Sequence, residues 1–404
     1  MGAPIPSIAE FHPGDVADVA IIGAGPAGVL IGSDLITAGR VAPGNICLVD
    51  PTFKAGDLQR KFPNVPGNTA VDTYLGALAR YLDSSDRPEF SLDHIPGSET
   101  CPISDLTPPI QWLSDRLRRQ VTSQRGFVDD VTLQDDGFWR LTAGGETPWT
   151  LLSRAVVLTT GGRPKEFDDM DVSDVTRSKL IFLRKALDGE ALSREVGSDD
   201  SVAILGSSHS GILTLMNLMQ IPPELRPHSI TMYHRSPLRL SSKVNGTTFY
   251  DNTGLKGLPK KWAERNLANK DDGTIEYVGE RSPSTSVSFV RLDNVDELAA
   301  LLEADETCTK IVDARGLVPR EKPYVWAHGL ARRISTAAIA HFGAIDSREM
   351  PGLFAAGVLA PRRVTEKTLG GEVLHAGDVG VTKFAKTSQE IADAALTHLG
   401  LARI

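Results

Sequence analysis

Short apolar runs, glycine-rich turns and helical stretches alternate along the chain. Val19–Ile22 is a run of four apolar residues, too short for a helix and suited to a buried parallel strand. A glycine-rich turn follows, then an apolar helical stretch over Pro26–Ala38 that Gly39 stops. Ile46–Val49 reads as the next strand, closed by Asp50, which completes a strand–helix–strand unit. The loop AGDLQRKFPNVPGNT leads to a helix over Val71–Leu82; residues 83–104 read as loop and Ile110–Val121 as a helix. Three strands come next, at Val128–Gln134, Phe138–Thr142 and Leu151–Leu158, with Asp135-Asp136-Gly137 and Gly144-Gly145-Glu146 as turns.

The plan then repeats. Val202–Leu205 predicts a strand, GSSHSG a turn, Ile212–Met219 a helix and Ser229–Tyr233 a strand. A long irregular stretch precedes strands at Thr274–Val278, Val287–Leu292 and Ile311–Ala314. The two glycine turns begin at Gly23 and Gly206, 183 residues apart, so one nucleotide-binding plan occurs twice. The chain beyond holds HFGAID, PGLFAAGV and a helix near Val379–Leu399.

The first turn carries specific chemistry. Gly23-Ala24-Gly25-Pro26-Ala27-Gly28 matches G-x-G-x-x-G between a strand and a helix. Gly23 permits the tight turn, Gly25 lets backbone approach a pyrophosphate, and Gly28 lets helix and strand pack closely. The helix N-terminus then faces the phosphates with its partial positive charge. Asp50, 22 residues after Gly28, is placed to accept hydrogen bonds from ribose hydroxyls. No basic residue adjoins it, so the bound adenosine should lack a 2′-phosphate: FAD or NAD rather than NADP.

A net charge of −8 lacks the electrostatic footprint of a nucleic-acid binder. The uncharged stretch Ser201–Pro223 is interrupted by GSSHS, Asn217 and Gln220, and reads as strand, turn and helix rather than a membrane span. Cys47, Cys101 and Cys308 lie far apart in sequence, which argues against a disulfide framework, a zinc knuckle and a redox dithiol. Free thiols fit a cytoplasmic setting, and no metal site is expected.

IIGAGPAG, the strand-end Asp50, AGDLQ with FPNVPG, VVLTTGG and PGLFAAG occur in this order. Together they resemble the flavoproteins with two dinucleotide-binding domains, which include thioredoxin-reductase-like enzymes and class B flavin monooxygenases. The resemblance runs from Asp18 onward. It implies an α/β fold of two Rossmann-like dinucleotide-binding domains, the second inserted in the first: residues 18–195 and 326–404 for FAD, 196–325 for NAD(P). By resemblance, Gly23, Gly25, Pro26, Ala27 and Gly28 hold the FAD pyrophosphate and Asp50 its ribose. Gly56, Leu58 and Gln59 line the flavin, backbone near Val128 meets the adenine, and Thr160-Gly161 marks the chain's return. Where the reductases continue PGLFAAG with an aspartate, Val358 follows Gly357. Asp378, in LHAGDVG, is a candidate for the missing carboxylate's place, and the helix after it for a dipole aimed at the flavin.

The second turn, Gly206-Ser207-Ser208-His209-Ser210-Gly211, departs from the pattern. Ser208 stands at the middle glycine and should crowd a pyrophosphate. Ser207, Ser208 and Ser210 hydroxyls are the compensating phosphate ligands. The strand after the turn ends in Tyr233-His234-Arg235-Ser236 with Arg239 close behind. Arg235 can pair with a 2′-phosphate, which favours NADPH over NADH. No catalytic residue is assigned: His209 reads first as a turn residue that hydrogen-bonds backbone or cofactor, with a catalytic role as its alternative; His341 and His375 are lesser candidates for touching substrate.

The function expected is an FAD-dependent NAD(P)H oxidoreductase, a monooxygenase on a small organic molecule. Two alternatives stay open: an FAD-dependent dehydrogenase or oxidase without nicotinamide, and a non-enzymatic flavin-binding protein. Neither a nucleic acid nor a membrane is expected as partner, and association with further copies of the chain stays open.

Overall fold

The computed structural model describes residues 16–245, 247–279, 284–292, 294–327, 334–335, 350–368, 371, 373–378 and 380–401, the side chains of residues 362 and 378 excepted. The first glycine unit forms as its pattern predicts. β1 (Val16–Ile22) leads into α1 (Pro26–Ala38), and β2 (Ile46–Asp50) returns parallel to β1. After α2 (Asp57–Lys61), α3 (Val71–Leu82) and α4 (Ile103–Arg118), β3 (Thr122–Arg125) adds parallel to β2. The helix α4 starts earlier than the apolar pattern suggests and carries Pro108 and Pro109 in its second turn, where each removes one i→i−4 hydrogen bond. β4 (Asp130–Leu133), β5 (Trp139–Ala143) and β6 (Trp149–Leu158) form an antiparallel meander. The far half of β6 runs parallel beside β1, Ile22 against Leu158.

A short strand, β7 (Gly162–Pro164), carries the chain out of this domain. α5 (Asp174–Ser178), α6 (Leu183–Ala186) and α7 (Gly189–Ser193) precede the second unit: β8 (Ser201–Leu205), α8 (His209–Gln220) and β9 (Ser229–His234). The stretch expected to be irregular contains β10 (Ser242–Val244), β11 (Thr247–Phe249), α9 (Gly257–Asn266) and β12 (Leu267–Asn269). β13 (Ile275–Tyr277), β14 (Ser286–Arg291), α10 (Val295–Ala304) and β15 (Lys310–Asp313) follow. β16 (Leu317–Pro319) pairs antiparallel with β7, so both crossings between domains form one two-stranded ribbon. β17 (Tyr324–Trp326), β18 (Ile334–Ser335) and β19 (Leu353–Ala355) rejoin the first sheet. A hairpin of β20 (Arg362–Lys367) and β21 (Val373–Asp378), absent from the sequence reading, precedes the C-terminal helix Val381–His398.

The described residues thus form a nine-stranded sheet, order β18-β17-β4-β5-β6-β1-β2-β3 with β19 beside β6, and a four-stranded parallel sheet, order β14-β9-β8-β15. Alternation along the central strands sends side chains to opposite faces. Val19 and Ile21 of β1 face α1, α3 and α4, while Ala20 and Ile22 face the meander side. In the second domain Val202 and Ile204 face α8, while Ala203 and Leu205 face α10.

These cores move the domain boundaries. Residues 165–195, assigned from sequence to the first domain, pack into the second: Phe167, Met170 and Val172 on one face of its sheet, Ile181, Leu183, Ala186 and Leu192 on the other. Ile181 donates its N–H to the Ile311 carbonyl at 2.8 Å, which ties this segment to β15. The return comes early as well, because Tyr324–Trp326 pairs with β4 of the first sheet. No helix among the described residues is long and apolar enough to cross a membrane.

Candidate functional site

The first glycine turn shows which of its glycines the fold itself requires. Gly23 has φ +111°, and a Cβ there would lie 2.4 Å from the Thr159 carbonyl oxygen; a Cβ on Gly28 would lie 1.9 Å from the Gly23 carbonyl oxygen. Gly25 is different. Its φ of −75° suits any residue, and a Cβ there would meet nothing nearer than the Gly56 Cα at 3.8 Å. Nothing among the described residues demands glycine at position 25, so the open space in front of it is the kind a closely approaching ligand fills. α1 begins at this point with no side-chain cap and with Pro26 in its first turn, leaving backbone N–H groups directed into that space.

Asp50 supports the turn from below. One carboxylate oxygen accepts the Ala24 N–H at 2.9 Å, and the other accepts those of Thr52 at 2.8 Å and Phe53 at 2.7 Å. The first oxygen keeps a lone pair for a ribose hydroxyl. Gly23, Gly25, Pro26, Ala27 and Asp50 line one cavity of about 2350 Å³, well beyond the roughly 300–1,000 Å³ of ordinary small-molecule sites. Gly56, Leu58, Val128, Thr160, Gly161 and Gly357 line it too. Thr160 Oγ1 is buried there without a hydrogen-bond partner among the described residues. Gly28 is buried behind the wall, as a packing glycine should be. Gln59 is a correction: it is exposed and off the wall, because one step of about 100° along α2 turns it away from the face that carries Leu58.

The far side of the cavity belongs to the inserted domain and the C-terminal helix. That helix starts at Val381, later than expected, because Asp378 ends β21 instead. Gly380, Val381 and Thr382 open on the cavity, and Val358 lines it beside Gly357. The Asp378 side chain and all of His341 lie outside the described residues, and His375 is exposed on the hairpin. Sequence reasoning missed two ion-pair groups. Arg320, just past the crossing ribbon, pairs with Asp57 of α2. Asp251 accepts Lys256 Nζ at 2.7 Å and Lys383 Nζ at 2.8 Å. Burial opposes ionisation of Asp251, yet these two lysines hold its carboxyl down to about 2. Buried Glu366 of β20 accepts the N–H groups of Asn252 and Thr253 and, at 2.6 Å, the Thr253 hydroxyl. These contacts join segments remote in sequence, and no local pattern marks them.

The second glycine turn copies the first in backbone. Gly206 N–H donates to the Tyr233 carbonyl at 2.8 Å, as Gly23 N–H does to Val49 at 2.8 Å. A Cβ on Gly211 would lie 1.8 Å from the Gly206 carbonyl oxygen, matching the Gly28 contact. Ser208 caps α8 at φ −83°, close to the Gly25 geometry, and is exposed. The backbone therefore accepts serine without strain, and only the ligand's space is affected. Gly206, Ser207, Ser208 and Ser210 do not line the large cavity; His209 does. Its Nε2 is buried without a partner among the described residues. Burial, with the Lys256 charge, pushes its imidazole down to about 4, so at neutral pH it is a neutral hydrogen-bonding group rather than a resident acid. By register, His234 rather than Arg235 takes the place that Asp50 holds in the first unit. His234 is buried, with Nδ1 on the Ser236 carbonyl oxygen at 3.1 Å, and Arg235 is exposed just beyond it.

No protein-family model matches the chain. A curated relative, the monooxygenase AgnR1 of Paecilomyces divaricatus, is 27% identical over 392 residues, covering 91% of this chain and 94% of the relative. Among solved structures, a flavin-containing monooxygenase from Stenotrophomonas maltophilia superposes with a TM-score of 0.51 at 12% identity, covering 95% of this chain and 99% of its own. Cyclohexanone monooxygenase from Rhodococcus sp. Phi1, bound to NADP+, gives a TM-score of 0.54 at 13% identity, covering 96% of this chain and 85% of its own. Sheet order, insertion and these superpositions agree: the chain has the fold of the flavoproteins with two dinucleotide-binding domains, the second inserted in the first.

Proposed function

We propose that this protein is an FAD- and NADPH-dependent monooxygenase that acts on a small organic molecule. The observation that carries the flavin assignment is Gly25, a glycine the protein does not need but a pyrophosphate does. The monooxygenase branch is supported by a relative of that activity aligned along nearly the whole chain. FAD, when bound, supplies the redox and oxygen chemistry. The protein's residues bind and orient it: α1 N–H groups toward the pyrophosphate, Asp50 toward the ribose, and Thr160 Oγ1, which has no hydrogen-bond partner among the described residues, toward the ligand in the cavity. The residues around Lys256 and His209 close the opposite side. The test is aerobic oxygen uptake and anaerobic bleaching of the purified yellow protein with NADPH and with NADH. Flavin that NADPH does not bleach overturns the reading.

A disulfide reductase fits less well. Cys47 is buried in β2, where burial raises its thiol to about 12, and Cys101 and Cys308 are buried as well. Such thiols are poor nucleophiles, and unpaired thiols suit a cytoplasmic setting. Changing all three cysteines to alanine should leave NADPH-driven flavin reduction within about tenfold. A loss beyond about a hundredfold, roughly 2.7 kcal/mol, in a folded variant points back to a thiol mechanism.

The preference for NADPH rests on Arg235 and Arg239, which carry no carboxylate partner among the described residues. A charge-assisted pair contributes about 1.5–3 kcal/mol, so the double change to alanine should weaken NADPH roughly ten- to a hundredfold and leave NADH unchanged. Stopped-flow flavin reduction against each nucleotide measures this. One observation favours a second reading, a flavin dehydrogenase or oxidase that dispenses with nicotinamide: apart from His209, the second turn stands off the cavity. Equal and unaltered affinities for the two nucleotides would move that reading ahead.

A further inference from the structure

The cavity is basic in a protein that is acidic. The whole chain carries −8, yet the part of the wall formed by residues 241–264 and the start of the C-terminal helix holds six lysines against two carboxylates. Five of those lysines sit near helix N-termini, where the helix dipole does not favour them. Lys256 caps α9, Lys260 and Lys261 follow in its first turns, and Lys383 and Lys386 occupy the first turns of the C-terminal helix. Neither helix has an acidic residue in its first turn or a side-chain cap. Cations at a helix N-terminus repel the positive end of its dipole, so their presence is offset elsewhere. Asp251 satisfies Lys256 and Lys383 together, and Glu264 lies 3.5 Å from Lys260. Lys243, Lys261 and Lys386 have no acidic partner among the described residues.

The anions already assigned do not use this wall. The first glycine turn offers its own helix N-terminus to the FAD pyrophosphate. The candidate phosphate ligands of the second turn and Arg235 stand off the cavity. Phe62, Val65, Leu106 and Val358 line the same cavity, and so does His209, whose Nε2 is buried without a partner among the described residues. We infer that this wall is the subsite for the organic substrate and that the substrate is an amphipathic anion, a carboxylate or phenolate on an apolar frame. The anionic group pairs with the lysines, His209 hydrogen-bonds a neighbouring polar atom, and the frame lies on the apolar residues. This rests on the monooxygenase reading for the word substrate; the anion site stands on the wall alone.

The test is calorimetric titration of the purified chain, its flavin content measured, with benzoate, with neutral benzamide and with 2′,5′-ADP at low ionic strength. Benzoate is expected to bind at least tenfold tighter than benzamide, with the margin shrinking in high salt as the lysines are screened. Replacing Lys243, Lys261 and Lys386 together by glutamine, all exposed positions, should weaken benzoate about tenfold and leave benzamide and 2′,5′-ADP within twofold. Benzoate no tighter than benzamide overturns the inference, and so does a variant that weakens both alike. Loss of 2′,5′-ADP binding, alone or alongside benzoate, also overturns it, because the wall then serves the nucleotide. Chain without flavin that still prefers benzoate sinks the function proposed above and leaves this site standing.

Discussion

Gly25→Val should keep the fold and empty the first nucleotide site. A side chain at position 25 faces open space on the protein side, with the Gly56 Cα at 3.8 Å as its first neighbour. Its backbone, at φ −75° and ψ −178°, is one that valine adopts freely. The same side chain would project between the α1 N–H groups and any phosphate approaching them. Keeping a phosphate out of hydrogen-bond range there should cost at least about a hundredfold in FAD affinity, roughly 2.7 kcal/mol. The measurement is flavin per chain after purification, alongside circular dichroism and melting of the apoprotein. Gly28→Ala is the contrast: its Cβ would lie 1.9 Å from the Gly23 carbonyl oxygen, so it should damage the fold itself. A well-folded Gly25→Val protein with stoichiometric FAD would remove the main support for the flavin assignment.

Local chemistry decided what could be read without coordinates. The first unit was legible because strand, turn and helix signals agree there: α1 runs over Pro26–Ala38 as its pattern predicts, with Gly39 in the left-handed conformation at its end. The repeat was legible for the same reason, and the two turns share their hydrogen bonds and their tight third glycine. Some misses had a signal. α10 is capped by Asn294, which accepts the Glu297 N–H at 2.7 Å, and that Asn with Glu three residues later is a recognisable helix start. Others had none. The β20–β21 hairpin alternates in burial, but the buried position of β20 is a glutamate, and Glu366 is accommodated there because residues 252–253 of the inserted domain supply its donors. The domain boundary at residue 195 failed because the segment after β7 has no linker composition and packs as part of the second core. The lysine wall was invisible because its members are spread from Lys243 to Lys386.

Asp50→Ala should destabilise the first domain and abolish flavin retention, and Asp50→Asn should separate the two effects. The carboxylate holds three backbone N–H groups, those of Ala24, Thr52 and Phe53, from an 8% exposed position. Each buried donor left unmet costs about 1–3 kcal/mol, but water entering from the cavity reaches part of this set. A net loss of about 2–4 kcal/mol is therefore expected for alanine. Asparagine keeps one acceptor oxygen. Turned toward Thr52 and Phe53, it serves both of those donors and sets its own NH₂ against the Ala24 N–H, leaving one unmet donor and a cost of about 1–3 kcal/mol. In that orientation the group nearest the ribose becomes a donor where an acceptor is needed. Asparagine should thus retain a folded apoprotein, as judged by circular dichroism, and still lose FAD by an order of magnitude or more. The decisive measurement is the melting temperature of each variant with and without added FAD. Wild type should rise with FAD and Asp50→Asn should rise far less at the same concentration. If Asp50→Asn gains as much from FAD as wild type does, Asp50 only braces the turn and the ribose contact lies elsewhere.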